Sequence, residues 1–404
     1  MSKRTTLTAI DVGTTKVCTI IADVNEDGIR VLGTGVTPSN GLHKGLVVNI
    51  NEAKEAIRAS IKKAEQASSY KVESAYVGVT GRHITSVNNR GVVAVARNDR
   101  LVRNDDLRRV LQSAHSINVP NDRKLLHVIP RNYAVDGQMG VKNPVGMHGF
   151  RLDVETHIIT AAMSSVQNLA KCIRGIGIDI DDLVLEPLAS SEAIITEDER
   201  HNGVILADIG GGTTDIAVFR EGSIWHTAII PVAGYQFTRD ISIGLGIPFD
   251  IAEEMKKQHA NVMPVYENKA ESPRETSENG HGPSHQDLCD IVMARVEELL
   301  RLIILELPRS EYKSLVPSGL ILTGGSSNLP GIDIMGQQIL KIPVRVGIPT
   351  NLYGIADILR NPAYATSVGL LLWGAKERGR PEWKSRSFGA GLKRLITNFR
   401  SLFR

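Results

Sequence analysis

The sequence predicts an α/β fold of two similar lobes with a ligand site between them, joined to an inserted α+β subdomain. The prediction rests on a repeat, because two glycine-and-threonine turns lie about 200 residues apart, at 11–16 and 208–215. Each turn follows an apolar run and leads into a second β-rich run. A third glycine turn follows the apolar run 320–323. Two halves that open with the same strand–turn–strand unit imply a duplicated domain with the ligand between the lobes.

The first half of the chain alternates strands and helices. Residues 7–48 predict a run of strands, and 50–67 predict an amphipathic helix because apolar residues recur every three or four positions. The further elements expected in this half are strands at 72–79, 91–96, 125–135 and 154–162, a helix at about 104–117, and a helix at 165–176 that ends at Gly177.

The second half opens with strands over 203–232. Residues 267–285 are rich in Glu, Ser, Pro, Asn and Gly without periodicity, which predicts a disordered insertion. The other elements expected are helices near 235–245, 250–259, 286–307, 332–341 and 355–375, and strands at 319–324 and 343–348. The predicted organisation is a first lobe at 1–82 and 163–200, the inserted α+β subdomain at 83–162, a second lobe at 201–375 with an outer subdomain at 235–310, a flexible linker at 376–391, and a C-terminal amphipathic helix at 392–404.

Composition and charge narrow the class of protein. The 404 residues are 42% hydrophobic and 23% charged, with no run approaching 18 apolar residues and no apolar signal segment at the start. Three widely spaced cysteines in apolar contexts predict buried free thiols in a reducing cytosol rather than a disulfide framework. The segment from Lys376 onward contains nine basic and two acidic residues, so this tail carries a net charge of +7 and the rest of the chain −4. The asymmetry indicates an anionic partner for the tail and gives no support for a nucleic-acid partner.

The first two turns have the composition of a phosphate site. Strand–turn–strand is a hairpin rather than the strand–loop–helix of a Walker site. Glycine lets the backbone approach a ligand, and successive N–H groups with threonine hydroxyls form an anion-binding concavity. One copy alone would be a common hairpin turn, but two facing copies could hold a polyphosphate. The predicted phosphate contacts are Gly13, Thr14, Thr15, Lys16, Gly210, Gly211, Gly212 and Thr213, and the predicted ligands of a hydrated divalent cation are Asp11 and Asp208.

The third turn suits the purine of a nucleotide. Gly324 and Gly325 have no side chains to obstruct a flat base and its ribose, and Ser326 follows them. A plain strand-to-helix turn is the alternative interpretation. The two phosphate-type hairpins upstream favour the nucleotide.

The last 14 residues predict a helix that lies in a membrane interface. At about 100° per residue, the apolar side chains fall within an arc of about 120°. The apolar arc contains Leu392, Leu395, Ile396, Phe399, Leu402 and Phe403, and the basic residues outside it are Lys393, Arg394, Arg400 and Arg404. Such a helix is too short to span a bilayer. The alternative, a terminal helix packed on its own core, has no need of the polar Pro- and Gly-containing stretch 377–391.

With these turns and the segment 364–369 (YATSVG) in place, the chain resembles the actin-like ATPase superfamily and, within it, the FtsA family of bacterial cell-division proteins. The most family-specific segments are 127–130 (HVIP), 141–146 (VKNPVG) and 188–191 (LASS). The resemblance implies a protein that binds ATP with Mg²⁺, polymerises like actin, and tethers the FtsZ ring to the cytoplasmic face of the cell membrane at the division site, recruiting later division proteins. It also implies that 83–162 replaces the second subdomain of actin. Ala233-Gly234 stands where many relatives have paired glycines.

The resemblance assigns roles to four further residues. Glu253 and Lys256 would flank the adenosine, unless they are charges on an exposed helix. Glu186 would orient the metal or the attacking water, with a helix-leading Glu-Pro as the alternative. Arg295, on the helix 286–307, would contact the C-terminal peptide of FtsZ, unless it is a solvated surface arginine. Hydrolysis of ATP would be slow, as a cytoskeletal switch requires.

Two other functions compete with this interpretation. A small-molecule kinase of the same superfamily needs a carboxylate base beside the acceptor hydroxyl and no basic amphipathic tail. A chaperone-like ATPase needs a large substrate domain after the core, whereas only 28 residues follow Lys376.

Overall fold

The computed structural model describes residues 5–25, 28–115, 119–263, 284–307, 316–350 and 352–379. The chain begins with β1 (Thr5–Val12), β2 (Lys16–Asn25), β3 (Gly28–Pro38), β4 (Leu42–His43), β5 (Leu46–Val47), α1 (Ile50–Ser68) and β6 (Ser74–Val79). The next segment contains β7 (Ile84–Ala94), α2 (Asn104–His115), β8 (Arg123–Val135), β9 (Gln138–Val141) and β10 (Arg151–Ala162). It is followed by α3 (Met163–Arg174), β11 (Asp179–Leu185), α4 (Glu186–Ile194) and α5 (Glu197–Asn202).

The second half repeats the opening arrangement of strands. Its elements are β12 (Val204–Ile209), β13 (Thr214–Arg220), β14 (Ser223–Ile230), α6 (Gly234–Leu245), α7 (Phe249–His259), α8 (His285–Leu305), β15 (Leu320–Thr323), α9 (Ile332–Leu340), β16 (Val344–Val346), β17 (Leu352–Gly354) and α10 (Ala365–Gly379).

Each lobe is built on one mixed sheet. The first has the strand order β11-β6-β1-β2-β3-β17, and the second has the order β14-β13-β12-β15-β16. In the first sheet the predicted hairpin β1–β2 is antiparallel, and β1 pairs in parallel with β6. In the second sheet the hairpin β12–β13 is antiparallel, and β12 pairs in parallel with β15. The chain returns to the first sheet at β17, which pairs with β3, a return that the sequence pattern did not predict.

Successive buried side chains along each strand point to opposite faces of the sheet, so each main sheet has core residues on both faces. In β1, Leu7 and Ala9 pack with α4 and α10, whereas Ile10 and Val12 pack against α1 and α3, as the two-residue period of a strand requires. The strands of the second sheet also contact the α4–α10 layer through one face, and their other face packs against α6, α8 and α9. Helices α4 and α10 therefore lie between the two sheets and join the lobes.

The segment 84–162 forms a separate four-stranded antiparallel sheet, β7-β10-β8-β9, covered by α2. Its strands also contact β14, the edge strand of the second lobe. Ser86 Oγ donates to the Thr227 carbonyl at 3.1 Å, and the Arg131 guanidinium lies 4.3 Å from the centroid of a Trp225 ring. The inserted subdomain is thus in contact with the second lobe as well as with the first.

Several predicted elements need correction. The expected helix 355–375 begins only at Ala365, after two 3₁₀ turns, and extends to Gly379, into the stretch predicted as a linker. Pro362 has no N–H to donate, and the Asn361 side chain caps the short turn that follows it, so the helix cannot start earlier. Strand β7 begins at Ile84 rather than at 91, and His285, placed in the disordered insertion, is the first residue of α8.

Strand β11 was not predicted, and helix α4 was considered only as the alternative in which Glu186-Pro187 begins a helix, which is where the structure places its start. Aspartates at 179, 181 and 182 give β11 a poor strand composition. The rest of the predicted insertion, 267–283, and the predicted terminal helix lie outside the described residues. Within the described ranges, no helix is long and apolar enough to cross a membrane. The three cysteines are free and buried.

Candidate functional site

The two hairpin turns meet between the lobes. Each is closed by a backbone hydrogen bond, from Gly13 N to the Lys16 carbonyl at 3.0 Å and from Gly210 N to the Thr213 carbonyl at 2.9 Å. A methyl group placed on Gly211 would lie 2.3 Å from Thr15 Cγ2. A methyl group on Gly212 would lie 2.6 Å from Thr14 Oγ1. The structure therefore brings the predicted phosphate-contacting turns together, and glycine is the residue that fits where they approach.

The third turn adjoins the second hairpin. Ser326 Oγ donates to the Gly210 carbonyl at 2.9 Å. Gly324 has a φ of 84°, and a methyl group on it would lie 2.4 Å from Asp208 Oδ1. Beside it, Gly325 is open, because a methyl group there would meet only Ala363 Cβ, at 3.8 Å. The predicted purine side is thus directly beside the second phosphate-type turn, with free space at Gly325.

Glu253 and Lys256 lie at the same junction. Lys256 Nζ donates to Glu253 Oε2 at 2.6 Å and to the Gly234 carbonyl at 3.2 Å. Gly234 in turn donates its N–H to the Gly210 carbonyl at 3.1 Å, and a methyl group on it would lie 2.6 Å from Ser326 Oγ. Sequence reasoning noted Gly234 only as a departure from related sequences and missed its place in the site. The signal available was its position at the first residue of α6, four residues after strand β14 ends.

Three buried aspartates line the site, and hydroxyl groups bind all three. Asp11 accepts from Ser367 Oγ at 2.7 Å, and Asp208 accepts from Thr366 Oγ1 at 2.8 Å. The third, Asp215, accepts from Thr80 Oγ1 at 2.5 Å. Sequence reasoning missed Asp215, although it ends the second glycine motif, and it missed the hydroxyl donors Thr80, Ser190, Thr366 and Ser367.

Glu186 is the fourth buried carboxyl group. It begins α4, and its Oε1 is buried without a hydrogen-bond partner. A methyl group on Gly78 of β6 would lie 3.4 Å from this oxygen, so the strand beneath it needs a small residue. The structure thus places the predicted catalytic residue with the aspartates and leaves one of its oxygens unsatisfied.

Burial raises the pKa of all four carboxyl groups, and repulsion by neighbouring carboxylates raises it further at Asp11, Asp215 and Glu186. Burial is the largest cause at each, and it raises the pKa of Asp215 to about 7 and that of Glu186 well above its usual range. The neighbouring carboxylates raise the pKa of Glu186 further, and the Lys16 ammonium opposes them. Lys16 itself reaches the start of α10, where it donates to the Ala363 carbonyl and lies 4.3 Å from the centroid of the Tyr364 ring. The site thus gathers four buried carboxyl groups with one lysine, an arrangement in which a cation would favour the ionised carboxylates.

Comparison with known proteins assigns the family. A model described as "Cell division protein FtsA" matches residues 205–369, and one described as "SHS2 domain inserted in FTSA" matches 81–160. The curated cell division protein FtsA of Pseudomonas aeruginosa is 42% identical over 376 residues, which are 92% of this chain and 90% of the relative. The chain belongs to the FtsA family. The FtsA of Neisseria meningitidis serogroup B is 38% identical over 97% of this chain and 98% of its own length.

Solved structures confirm the actin-like fold of this FtsA-family chain. A PilM–PilN type IV pilus biogenesis complex matches with a TM-score of 0.64 and 16% identity, covering 91% of this chain and 98% of the other. MreB5 of Spiroplasma citri, solved with bound AMPPNP, matches with a TM-score of 0.54 and 14% identity, covering 92% and 97%. The predicted two-lobed α/β architecture is therefore correct.

In the FtsA-family chain the predicted partner residue lies on the helix where the sequence placed it and not on either hairpin. Arg295 is on α8, where its guanidinium pairs with Asp240 at 2.5 Å and with Glu298, and its side chain is 25% exposed. It is held by ion pairs rather than freely solvated. In the part of the chain that the structure describes, no three His, Cys, Asp or Glu side chains are grouped to hold a metal ion directly.

Proposed function

We propose that this FtsA-family chain binds ATP with Mg²⁺ between its lobes and uses the bound nucleotide to control filament assembly. The observation that supports this most is the meeting of the two hairpins, with Thr14 and Thr15 facing Gly211 and Gly212. The backbone N–H groups and hydroxyls of these turns, together with Lys16, would bind the phosphates. The open backbone at Gly325 would accept the purine, flanked by Glu253 and Lys256.

The residues fit a hydrated Mg²⁺. The raised pKa values of Asp11 and Asp208 result from burial and are counteracted only in part by Lys16 and neighbouring hydroxyls. The unpaired Oε1 of Glu186 faces the same cluster. Asp11 and Asp208 would hold the ion through water, since hard cations prefer oxygen ligands and Mg²⁺ retains its water. When bound, Mg²⁺ neutralises phosphate charge. Glu186 would orient the attacking water and accept its proton.

Binding of a fluorescent ATP analogue tests the site. Gly325→Asp should reduce affinity at least tenfold, because a carboxylate would occupy the purine space. Gly325→Ala is the matched control, since the added methyl group makes only an ordinary contact at 3.8 Å, and it should bind within threefold of the wild type. Equal affinity of the wild type and a folded Gly325→Asp variant would contradict the proposal. Fast phosphate transfer to a small sugar would instead favour the kinase.

The same proposal places the chain on the cytoplasmic face of the membrane as a peripheral protein. The apolar arc and basic residues of 392–404 support interfacial binding to anionic lipids. One copy should bind reversibly, and a filament of copies should attach more strongly by avidity. In this proposal the chain tethers the FtsZ ring at the division site and recruits later division proteins.

Arg295 is proposed as part of the docking face for the FtsZ C-terminal peptide. Its guanidinium is already paired with Asp240 and Glu298, so a carboxylate of the peptide would have to compete with or extend this network. Arg295→Glu should abolish peptide binding and leave ATP binding within twofold. Arg301→Glu is the control, because it makes the same change of charge at an exposed position of α8, where Arg301 pairs with Glu297. Full retention of peptide affinity in Arg295→Glu would contradict the assignment.

A further inference from the structure

His127 connects the inserted subdomain to the nucleotide site. It lies in β8, and its side chain is buried. Its Nε2 atom accepts a hydrogen bond from the backbone N–H of Leu185 at 3.1 Å. Leu185 ends β11, and the next residue, Glu186, begins α4. The imidazole therefore holds the backbone immediately before the unpaired carboxyl group of the site.

The N–H of Leu185 depends on this acceptor. Among the described residues, strand β11 is the edge strand of the first sheet and pairs with β6 alone. Leu185 is fully buried, so water cannot replace the imidazole. Helix α4 has no side-chain cap at its N-terminus. His127 is thus the side chain that fixes the backbone at the junction of β11 and α4.

Glu186 has little else to position it. Its Oε1 has no hydrogen-bond partner, so the direction of the carboxyl group follows from its backbone and from its packing over Gly78. A shift of the β11–α4 junction would therefore move the carboxyl group directly. Burial also lowers the pKa of His127 to about 4, so the ring is neutral near pH 7 and can act as an acceptor.

We infer that His127 is a positioning residue for Glu186, which makes the inserted subdomain a structural part of the ATP site. The inference rests on the proposed function, because it assigns His127 to the reaction at the site formed by the two hairpins. It adds a residue from outside both lobes. A displacement of β8, for example when a partner binds the inserted subdomain, would be transmitted to Glu186 through the backbone of Leu185.

Three variants separate positioning from packing. His127→Phe keeps a planar ring but leaves the Leu185 N–H without an acceptor. His127→Gln places a carbonyl oxygen near the position of Nε2. Trp373→Phe alters the ring that packs edge-on against His127 at 5.4 Å, removes a long hydrogen bond of 3.4 Å to Asp182 of β11, and leaves the His127 acceptor in place. The readouts are the Mg·ATP dissociation constant, single-turnover hydrolysis, and amide hydrogen exchange over 185–190.

We expect His127→Phe to slow single-turnover hydrolysis at least tenfold and to speed exchange at the start of α4, with Mg·ATP affinity within threefold. His127→Gln should restore both readouts to within threefold of the wild type, and Trp373→Phe should hydrolyse at the wild-type rate. Hydrolysis within twofold of wild type in His127→Phe, or failure of Gln to rescue it, would overturn the inference. A wild-type chain that binds Mg·ATP and never hydrolyses it would overturn it as well, whereas failure to bind Mg·ATP would overturn the proposed function first.

A measurement on the wild-type chain does not depend on whether the Phe variant folds. Nitrogen-15 NMR of labelled histidine should show Nε2 of His127 unprotonated and coupled to the Leu185 amide through the hydrogen bond. Protonated Nε2 at pH 7 would overturn the inference, because the ring could not then accept from Leu185.

Discussion

At the scale of single residues, the site depends on positions where a side chain is absent. Gly211 and Gly212 face Thr15 and Thr14 across the two lobes, and a methyl group on either glycine would lie less than 3.0 Å from the opposite threonine. Such a methyl group would push the two turns apart. The spacing of the two turns therefore depends on the absence of side chains at Gly211 and Gly212 opposite the two threonines.

Gly211→Ala should weaken Mg·ATP binding at least tenfold, or about 1.4 kcal/mol, because the new methyl group collides with Thr15 Cγ2. Thr15→Ser removes that methyl group and keeps the hydroxyl, so the double variant should recover most of the lost affinity. Titration of a fluorescent ATP analogue measures both. Thr15→Ser alone serves as the control and should bind within threefold of wild type. An unrescued double variant would show that contact between the turns does not limit binding.

At the scale of elements, α10 links the proposed nucleotide site to the basic tail. Its first turn supplies Thr366 and Ser367, which donate to Asp208 and Asp11. Near its other end, Lys376 pairs with Glu192 of α4, and the chain continues toward 392–404. One helix thus contacts the carboxylates of both lobes and leads to the predicted membrane-binding segment.

The double change Phe399→Asp and Phe403→Asp should abolish co-sedimentation with anionic vesicles and leave ATP binding intact. It puts two charges into the apolar arc, where each phenylalanine would otherwise contribute on the order of 1.5–3 kcal/mol if fully buried. Thr397→Asp with Ser401→Asp adds the same charge to the opposite face of the predicted helix. That control should bind vesicles more weakly, and added salt should weaken its binding less steeply, because the two carboxylates offset part of the basic charge. Equal loss in both variants would mean that attachment is electrostatic alone.

At the scale of the whole molecule, the inserted subdomain contacts both lobes through buried histidines. His127 accepts from Leu185 of the first lobe, and His157 lies within 3.0 Å of Thr227 Oγ1 in the second. His157 also pairs with Asn88 at 2.6 Å. These contacts hold the subdomain against β11 and β14, the edge strands of the two main sheets.

His157 should make folding stability depend on pH. Burial lowers the pKa of His157 to about 3, with further lowering by His226, Arg131 and His127, whereas the usual pKa is about 6.5. The folded state favours the neutral ring. The contribution of His157 to the free energy of unfolding is therefore fully present above pH 6.5 and is lost as pH falls toward 3. Between pH 6 and 5, the wild type should lose about 1 kcal/mol per pH unit more than His157→Gln. Urea unfolding at pH 7, 6 and 5 measures this, and parallel profiles would contradict it.

The sequence by itself determined the features that are local in the chain. Both glycine hairpins, the third turn and α1 follow from turn chemistry and from apolar spacing within about 20 residues. The duplicated lobes followed because the same local unit occurs twice. The residues predicted at the phosphate turns and at the purine turn all lie at one junction in the structure, with Glu253 and Lys256 beside them.

Only the tertiary structure decided which distant groups complete the site. Thr80 binds Asp215, 135 residues away, and Thr366 binds Asp208, 158 residues away. No local pattern encodes such pairs, because they form only where elements distant in the chain meet between the two lobes. Asn361 likewise pairs with Asn328 of the third turn at 3.0 Å, a contact between residues 33 positions apart that joins the segment before α10 to that turn. Long-range packing of this kind decides which groups meet, and local propensity does not reveal it.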